Sequence, residues 1–387
     1  MCNPRNPVSK CLPALALLAG CTRPVAPDLG LVPTVQRPAD GLCVSLLLDT
    51  LVDAVTTDLG GELIAMLGYG VPWATSVPDA DIFYPPDDPN DLATYAAAAT
   101  RYGDRVHTWE IWNEPNAGFR FWKQDPFSIG GDPQGYADLF VAAADAIHAA
   151  DPSARVLLGG VFFHSQGYTG GVEFLQQVVD ARPEVLEKAD AVSFHTYTLY
   201  PPRRPPEADT DGEVSLSEMI AQIRAVTGDL PVVITEAGWP SFDTVDEDTQ
   251  AAWLVREYAL AHTSGLQDVC WYTLEDSTDP QANPERAFGL MRQGATEDKP
   301  SGVAYRALAG ALSQVGTGYG HAEAALDLPY GVTAIRYAGD RTLTAVWSTG
   351  DPADVALPPV ERGCGPVPVH ATGTPSLVVQ GGGCEGR

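Results

Sequence analysis

Two glutamates, Glu114 and Glu236, stand where two apolar runs stop. The first run, Trp109-Glu110-Ile111-Trp112-Asn113-Glu114-Pro115-Asn116, reads as a β-strand halted by proline, which has no amide hydrogen to give a ladder. Strand side chains alternate, so Glu110, Trp112 and Glu114 are expected on one face. The second run, Val232-Val233-Ile234-Thr235-Glu236-Ala237-Gly238-Trp239, ends in a carboxylate and a glycine turn. The same alternation groups Val232, Ile234 and Glu236. A lone glutamate at a strand end is usually a salt-bridge or cap partner. Two of them, each near tryptophan, point to chemistry. One carboxylic acid can protonate a leaving oxygen while a second carboxylate attacks or activates water. Such a pair works when its surroundings push the two pKa values apart.

Glycosidic bonds are cleaved by this kind of pair. Trp73, Trp112, Trp239 and Trp271 crowd the same stretches, and sugar C–H faces stack on indole. Segment 109–116 resembles the acid/base motif on the fourth barrel strand of clan A retaining glycoside hydrolases. Segment 234–239 resembles their nucleophile motif on the seventh. The pattern is most similar to glycoside hydrolase family 39 and its bacterial exopolysaccharide-cleaving relatives, with family 5 next, over roughly residues 60–313. The resemblance implies that Glu114 is the acid/base and Glu236 the nucleophile. It implies that Asn113 binds the sugar 2-hydroxyl and that Tyr197 hydrogen-bonds Glu236. Ser193-Phe194-His195-Thr196-Tyr197 is similar to the sixth strand of the clan, which directs His195 at substrate or a carboxylate. Trp73 would stack on substrate and Trp271 would floor the pocket, with Trp112 and Trp239 as further aromatic walls. The first- and second-strand motifs of such enzymes, an arginine included, find no match in residues 22–62.

The elements that must position these groups alternate along the chain. Strand-like runs cover residues 63–67, 106–112, 155–158, 191–197, 232–235 and 269–273. Helix-like runs cover 91–102, 136–150, 172–180, 216–227, 247–262 and 303–313. That order argues for a parallel sheet flanked by helices. Strand-end carboxylates then fall on the rim where α/β barrels place their chemistry. The expected fold is α/β: a TIM-type (β/α)8 barrel whose strands 1–2 are either very short or missing, with a small C-terminal antiparallel β domain. Only residues 41–44 offer an early strand, and 46–59 read as a helix. Short β-prone runs at 332–336, 342–346, 355–357, 367–370 and 376–380 supply the second domain. The expected boundaries are 1–20 for a signal segment, 21–317 for the barrel and 318–387 for a β-sandwich-like accessory domain.

The chain has 387 residues and a formal net charge of −27. That charge opposes nucleic acid and acidic membrane surfaces as partners and leaves a neutral carbohydrate open. Arg5 and Lys10 precede an apolar stretch at 12–19, too short to span a bilayer. It ends in Leu18-Ala19-Gly20-Cys21, which resembles a bacterial lipobox, so Cys21 is the expected lipidation site. An ordinary secretory signal is the alternative. The expected location is outside the cytoplasm, as a cell-surface or periplasmic lipoprotein or a secreted protein, with membrane contact only through the lipid. Export permits disulfides, and Cys364 with Cys384 would close a short loop in the tail. Cys43 and Cys270 read as buried thiols. No CxxC or HExxH spacing occurs, so neither a metal nor another cofactor is expected. A monomer is expected. The competing function is a non-catalytic carbohydrate-binding lipoprotein, and a transglycosylase would use the same residues.

Overall fold

The computed structural model describes residues 15–18 and 52–381, apart from 59, 72, 125–129, 164–168, 198–202, 209–213, 267, 296, 317–322, 325–327 and 361–363. It divides into two compact units. One contains Ala14–Thr196 and Ala221–Glu236, the other Tyr197–Ile220 and Ala237–Arg387.

The first unit is built on a parallel sheet whose strands follow chain order: β1 (Leu15–Leu18), β2 (Ile64–Gly68), β3 (Thr108–Ile111), β4 (Arg155–Phe162), β5 (Ala191–His195) and β6 (Val232–Ala237). Between them run α1 (Pro89–Ala99), α2 (Pro133–Ala150), α3 (Gly171–Ala181), the short α4 (Val185–Lys188) and α5 (Leu216–Thr227). This is a TIM-like β/α arrangement. Every residue of β2 and β5 is buried, as befits strands covered on both faces. Helix α2 starts where Asp132 accepts the Gly135 amide at 3.0 Å and proline takes the first turn. Its Tyr136, Leu139, Phe140 and Ile147 are buried, each apolar side chain contributing about 1.5–3 kcal/mol.

Two strands carry an extra residue. Leu158 pairs with Val192 but Val161 with Phe194, so β4 bulges at Gly159 and Gly160. Their φ values of 130° and 60° lie in the left-handed half of backbone space that favours glycine. Phe194 pairs with Ile234 but His195 with Glu236, so β6 bulges at Thr235. Bulges re-aim side chains, and both of these sit directly before the strand ends.

The expected strands and helices between residues 60 and 313 all occur, with ends shifted by a few residues. The early part differs. The four residues of β1 lie inside the stretch read as an export signal, yet they pair in parallel with Ala65–Gly68. A continuous apolar run suits a signal core and a buried parallel strand equally. The expected strand at 41–44 lies outside the described residues. Of the expected helix at 46–59, Ala54–Asp58 forms a π-helical turn.

The second unit contains α6 (Glu247–Thr263), β7 (Val269–Trp271) and α7 (Pro300–Val315), followed by six short strands. β8 (Glu323–Ala324), β9 (Val332–Ala338), β10 (Thr342–Ser348) and β13 (Ser376–Gln380) form an antiparallel sheet in the order β13-β10-β9-β8. β11 (Ala353–Leu357) and β12 (Val367–Ala371) pair antiparallel. Ala334, Val346, Val355, Leu357, Val369 and Ala371 share one core. The tail is tied to α6 and α7. His262 Nδ1 lies 3.0 Å from the Tyr337 hydroxyl, and the Asp340 amide donates to the Val315 carbonyl at 2.8 Å. Those contacts lie within one unit, which holds α6, α7 and the tail together. Among the described residues no helix is long and apolar enough to cross a membrane.

Candidate active site

The end of β3 is not a simple continuation of the strand. Trp112 and Glu114 have φ values of 70° and 42°, a left-handed backbone that non-glycine residues avoid at a cost of order 1 kcal/mol. Hydrogen bonds hold it there. The Trp112 amide donates to the Leu67 carbonyl at 2.8 Å and the Glu114 amide to the Gly160 carbonyl at 2.9 Å. The Asn116 side-chain amide donates to the carbonyls of Phe162 and Thr169, and its oxygen accepts the Phe162 amide at 3.0 Å. Three motif residues thus turn Glu114 out of the alternating path and fix it over β4.

His195 ends β5 and stands in register with Glu236. Its Nδ1 lies 2.8 Å from Glu114 Oε1 and 3.8 Å from Glu236 Oε2. One carboxylate oxygen of Glu114, one of Glu236 and a ring nitrogen of His195 all lie within 4.8 Å of one another. His195 is fully buried, Glu114 nearly so, and the Glu236 side chain keeps 23% of its exposure. Burial opposes a charge on His195. Glu236, Glu114 and Glu110 outweigh it and push the imidazole up to about 9. At neutral pH it is an imidazolium with both ring nitrogens as donors. The three groups could also hold a cation, though a metal would have to displace that proton.

Two side chains that the sequence reading left without a role join this cluster. Glu110 is 2% exposed and accepts from the Thr235 hydroxyl at 2.7 Å. Burial pushes its carboxyl above the ordinary range. Its signal was an acid inside an apolar strand, on the expected face of Glu114. Tyr69 follows β2, flanked by Gly68 and Gly70, with φ 70°. Its hydroxyl hydrogen-bonds the Asn113 side chain, and burial followed by the charges of Glu236 and Glu114 raises its pKa. No pattern in the sequence marks it.

The structure brings Glu114, Glu236, His195 and Asn113 together in the first unit. Trp73 is 44% exposed in the loop after β2. Trp112 is fully buried, with its ring 5.1 Å from Trp122 and its N–H donating to the Phe121 carbonyl at 2.7 Å, so it supports the strand end and shows no open face. Tyr197, Trp239 and Trp271 belong to the second unit and are buried there. Trp239 lies 6.1 Å from Trp271, and Tyr197 packs edge-on against Tyr272 and Phe288. Cys364 is disulfide-bonded and Cys270 is a buried free thiol. Cys384, Cys21 and Cys43 lie outside the described residues.

The model of the cellulase family, glycosyl hydrolase family 5, matches residues 80–277. The chain is also similar to solved structures. A family 39 glycoside hydrolase from the gut symbiont Bacteroides cellulosilyticus WH2 matches with a TM-score of 0.63 at 23% identity, covering 89% of this chain and 73% of that one. A monomeric beta-xylosidase from Caulobacter crescentus CB15 gives 0.57 at 22%, covering 83% and 68%. A glucosidase from Croceicoccus marinus gives 0.56 at 16%, covering 85% and 67%. At these identities the likeness is one of fold. No curated protein matches the chain. These findings lend no support to the non-catalytic reading. The family match takes in more than half of the chain and runs through both strand-end glutamates, so this protein belongs to the cellulase family, glycosyl hydrolase family 5, and is an O-glycosyl hydrolase.

Proposed function

We propose that the protein is a retaining glycosidase that cleaves a neutral, β-linked oligo- or polysaccharide by double displacement. The observation that carries the reading is the separation of the two carboxylates, with oxygens of Glu114 and Glu236 within 4.8 Å. Retaining enzymes hold the carboxyl groups about 5–5.5 Å apart, and inverting ones about 6.5–9.5 Å to admit a water. In this reading one proton is held between His195 Nδ1 and Glu114 Oε1. Moving it to Glu114 supplies the acid for the leaving oxygen, while Glu236 keeps its negative charge and attacks the anomeric carbon. Water then enters with Glu114 as base. Asn113, oriented by Tyr69, binds the 2-hydroxyl. Trp73, exposed in the first unit, is proposed to contact sugar. The β linkage rests on the family description and on the beta-xylosidase whose fold is shared.

The test is covalent trapping. Incubation with 2,4-dinitrophenyl 2-deoxy-2-fluoro-β-xyloside and the matching β-cellobioside should add one glycosyl unit to the peptide containing Glu236. Inverted product, or full turnover by Glu236→Ala, would overturn the mechanism. Export and acylation at Cys21 are a separate proposal. Processing there would remove β1, which pairs with β2, so the two compete. Labelled palmitate incorporated by the cell-expressed protein and lost in Cys21→Ser would support the anchor; no incorporation would overturn it.

A further inference from the structure

Beneath the two strand-end carboxylates lies a third acid that the double displacement does not use. Glu110 sits in β3 in register with Met66 of β2 and Leu157 of β4. Its carboxylate accepts the Thr235 hydroxyl at 2.7 Å and hydrogen-bonds the Ser193 side chain. Ser193 Oγ in turn accepts the Gly160 amide at 2.7 Å, and the Gly160 carbonyl accepts the amide of Glu114. Thr235 is the bulge residue of β6 and directly precedes Glu236. Gly160 is a bulge residue of β4. Ser193 lies two residues before His195. One carboxyl group therefore touches, directly or through one hydroxyl, the strand carrying each member of the trio.

We propose that Glu110 is a positioning residue for the reaction: from below the site it holds the bulges of β4 and β6 and the end of β5, and so sets the separations among Glu114, His195 and Glu236. This rests on the reading of those three groups given above. A bulge without a partner for its inward side chain has no reason to stay at one position, and β-strands slip by whole residues. Thr235 and Ser193 give the bulges that partner. Gly160 shows how tight the layer is, because a Cβ there would lie 3.1 Å from Glu110 Oε1 and 3.2 Å from the Trp112 carbonyl.

The titratable groups facing Glu110 are His195, Glu114 and Tyr136. Burial raises the pKa of its carboxyl, and the positive charge of His195 opposes that rise.

The test uses the full chain and 2,4-dinitrophenyl β-cellobioside. Glu110→Gln keeps the shape and the hydrogen-bonding capacity. It should keep kcat within about threefold. Glu110→Met fills the volume without hydrogen bonds. Its kcat should fall about 100-fold with KM nearly unchanged, the order expected from an ångström-scale misplacement. Glu236→Ala is run alongside. Turnover by that variant would sink the reading of the trio itself, whatever Glu110 does. A folded Glu110→Met with wild-type kcat would overturn the positioning role. If Glu110→Met does not fold, Thr235→Val decides: a loss of kcat of about tenfold supports the role, and an unchanged kcat overturns it.

Discussion

His195 Nδ1 lies 2.8 Å from Glu114 Oε1, although the two residues are 81 positions apart and end different strands. The imidazole is thereby a third partner in what sequence alone presents as a pair of acids. Its proton is held up to about pH 9 by the carboxylates around it.

This sharing fixes how the pH profile should respond. In the wild type, activity should fall as pH rises through about 9, where the shared proton is lost. In His195→Gln that proton has lost its imidazole, so the basic limb should move down and the maximal kcat/KM should drop about 100-fold. An unchanged basic limb would place the acid elsewhere.

Tyr69 reaches the reaction through Asn113. Tyr69→Phe removes one hydroxyl and leaves the aromatic packing with Phe83 and Trp112. The variant should lose about tenfold in kcat/KM on a 4-nitrophenyl glycoside. On the 2-deoxy analogue, where Asn113 has no hydroxyl to bind, the loss should be much smaller. Equal losses on the two substrates would remove Tyr69 from 2-hydroxyl recognition.

In the second unit Lys299 is fully buried and donates to Ser241 Oγ at 2.8 Å, Asp276 Oδ1 at 3.1 Å and the Ala287 carbonyl at 3.2 Å. Asp276 Oδ1 also accepts the Gly289 amide at 2.7 Å. Lys299→Met leaves Asp276 as a buried charge without its cation, and should cost about 3–5 kcal/mol in urea unfolding. The double variant Lys299→Met, Asp276→Leu should be more stable than the single one. Additive losses would show that the pair is not coupled.

His262 is buried against Tyr337, and burial pulls its pKa from 6.5 down to about 4. The folded protein binds this proton less readily than the unfolded chain. The contribution is therefore present above about pH 6.5 and is lost as pH falls toward 4. It amounts to about 3 kcal/mol at the acid end. Thermal unfolding between pH 7 and 4 should show a shallower decline in His262→Gln than in the wild type. Parallel curves would assign the acid sensitivity to other groups.

The sequence by itself determined the alternation of strands and helices, the two strand ends bearing glutamate, and the chemistry of a carboxylate pair. Apolar periodicity and a proline after Glu114 are local signals, and burial converts them directly into β2–β6 and their helices. Three things were decided only in the tertiary structure. Leu15–Leu18 became a strand because a neighbouring edge was there to pair with, and no local pattern separates that outcome from a signal core. Glu114 and Glu236 reach their places through a left-handed turn and a bulge, not through the alternation expected of straight strands. Bulges depend on pairing across strands, which are distant in sequence. The protonation of His195, and the place of Glu110 and Tyr69 beside it, arise from charges and hydroxyls that only the fold brings within reach, because electrostatics depends on distance and burial and not on order along the chain.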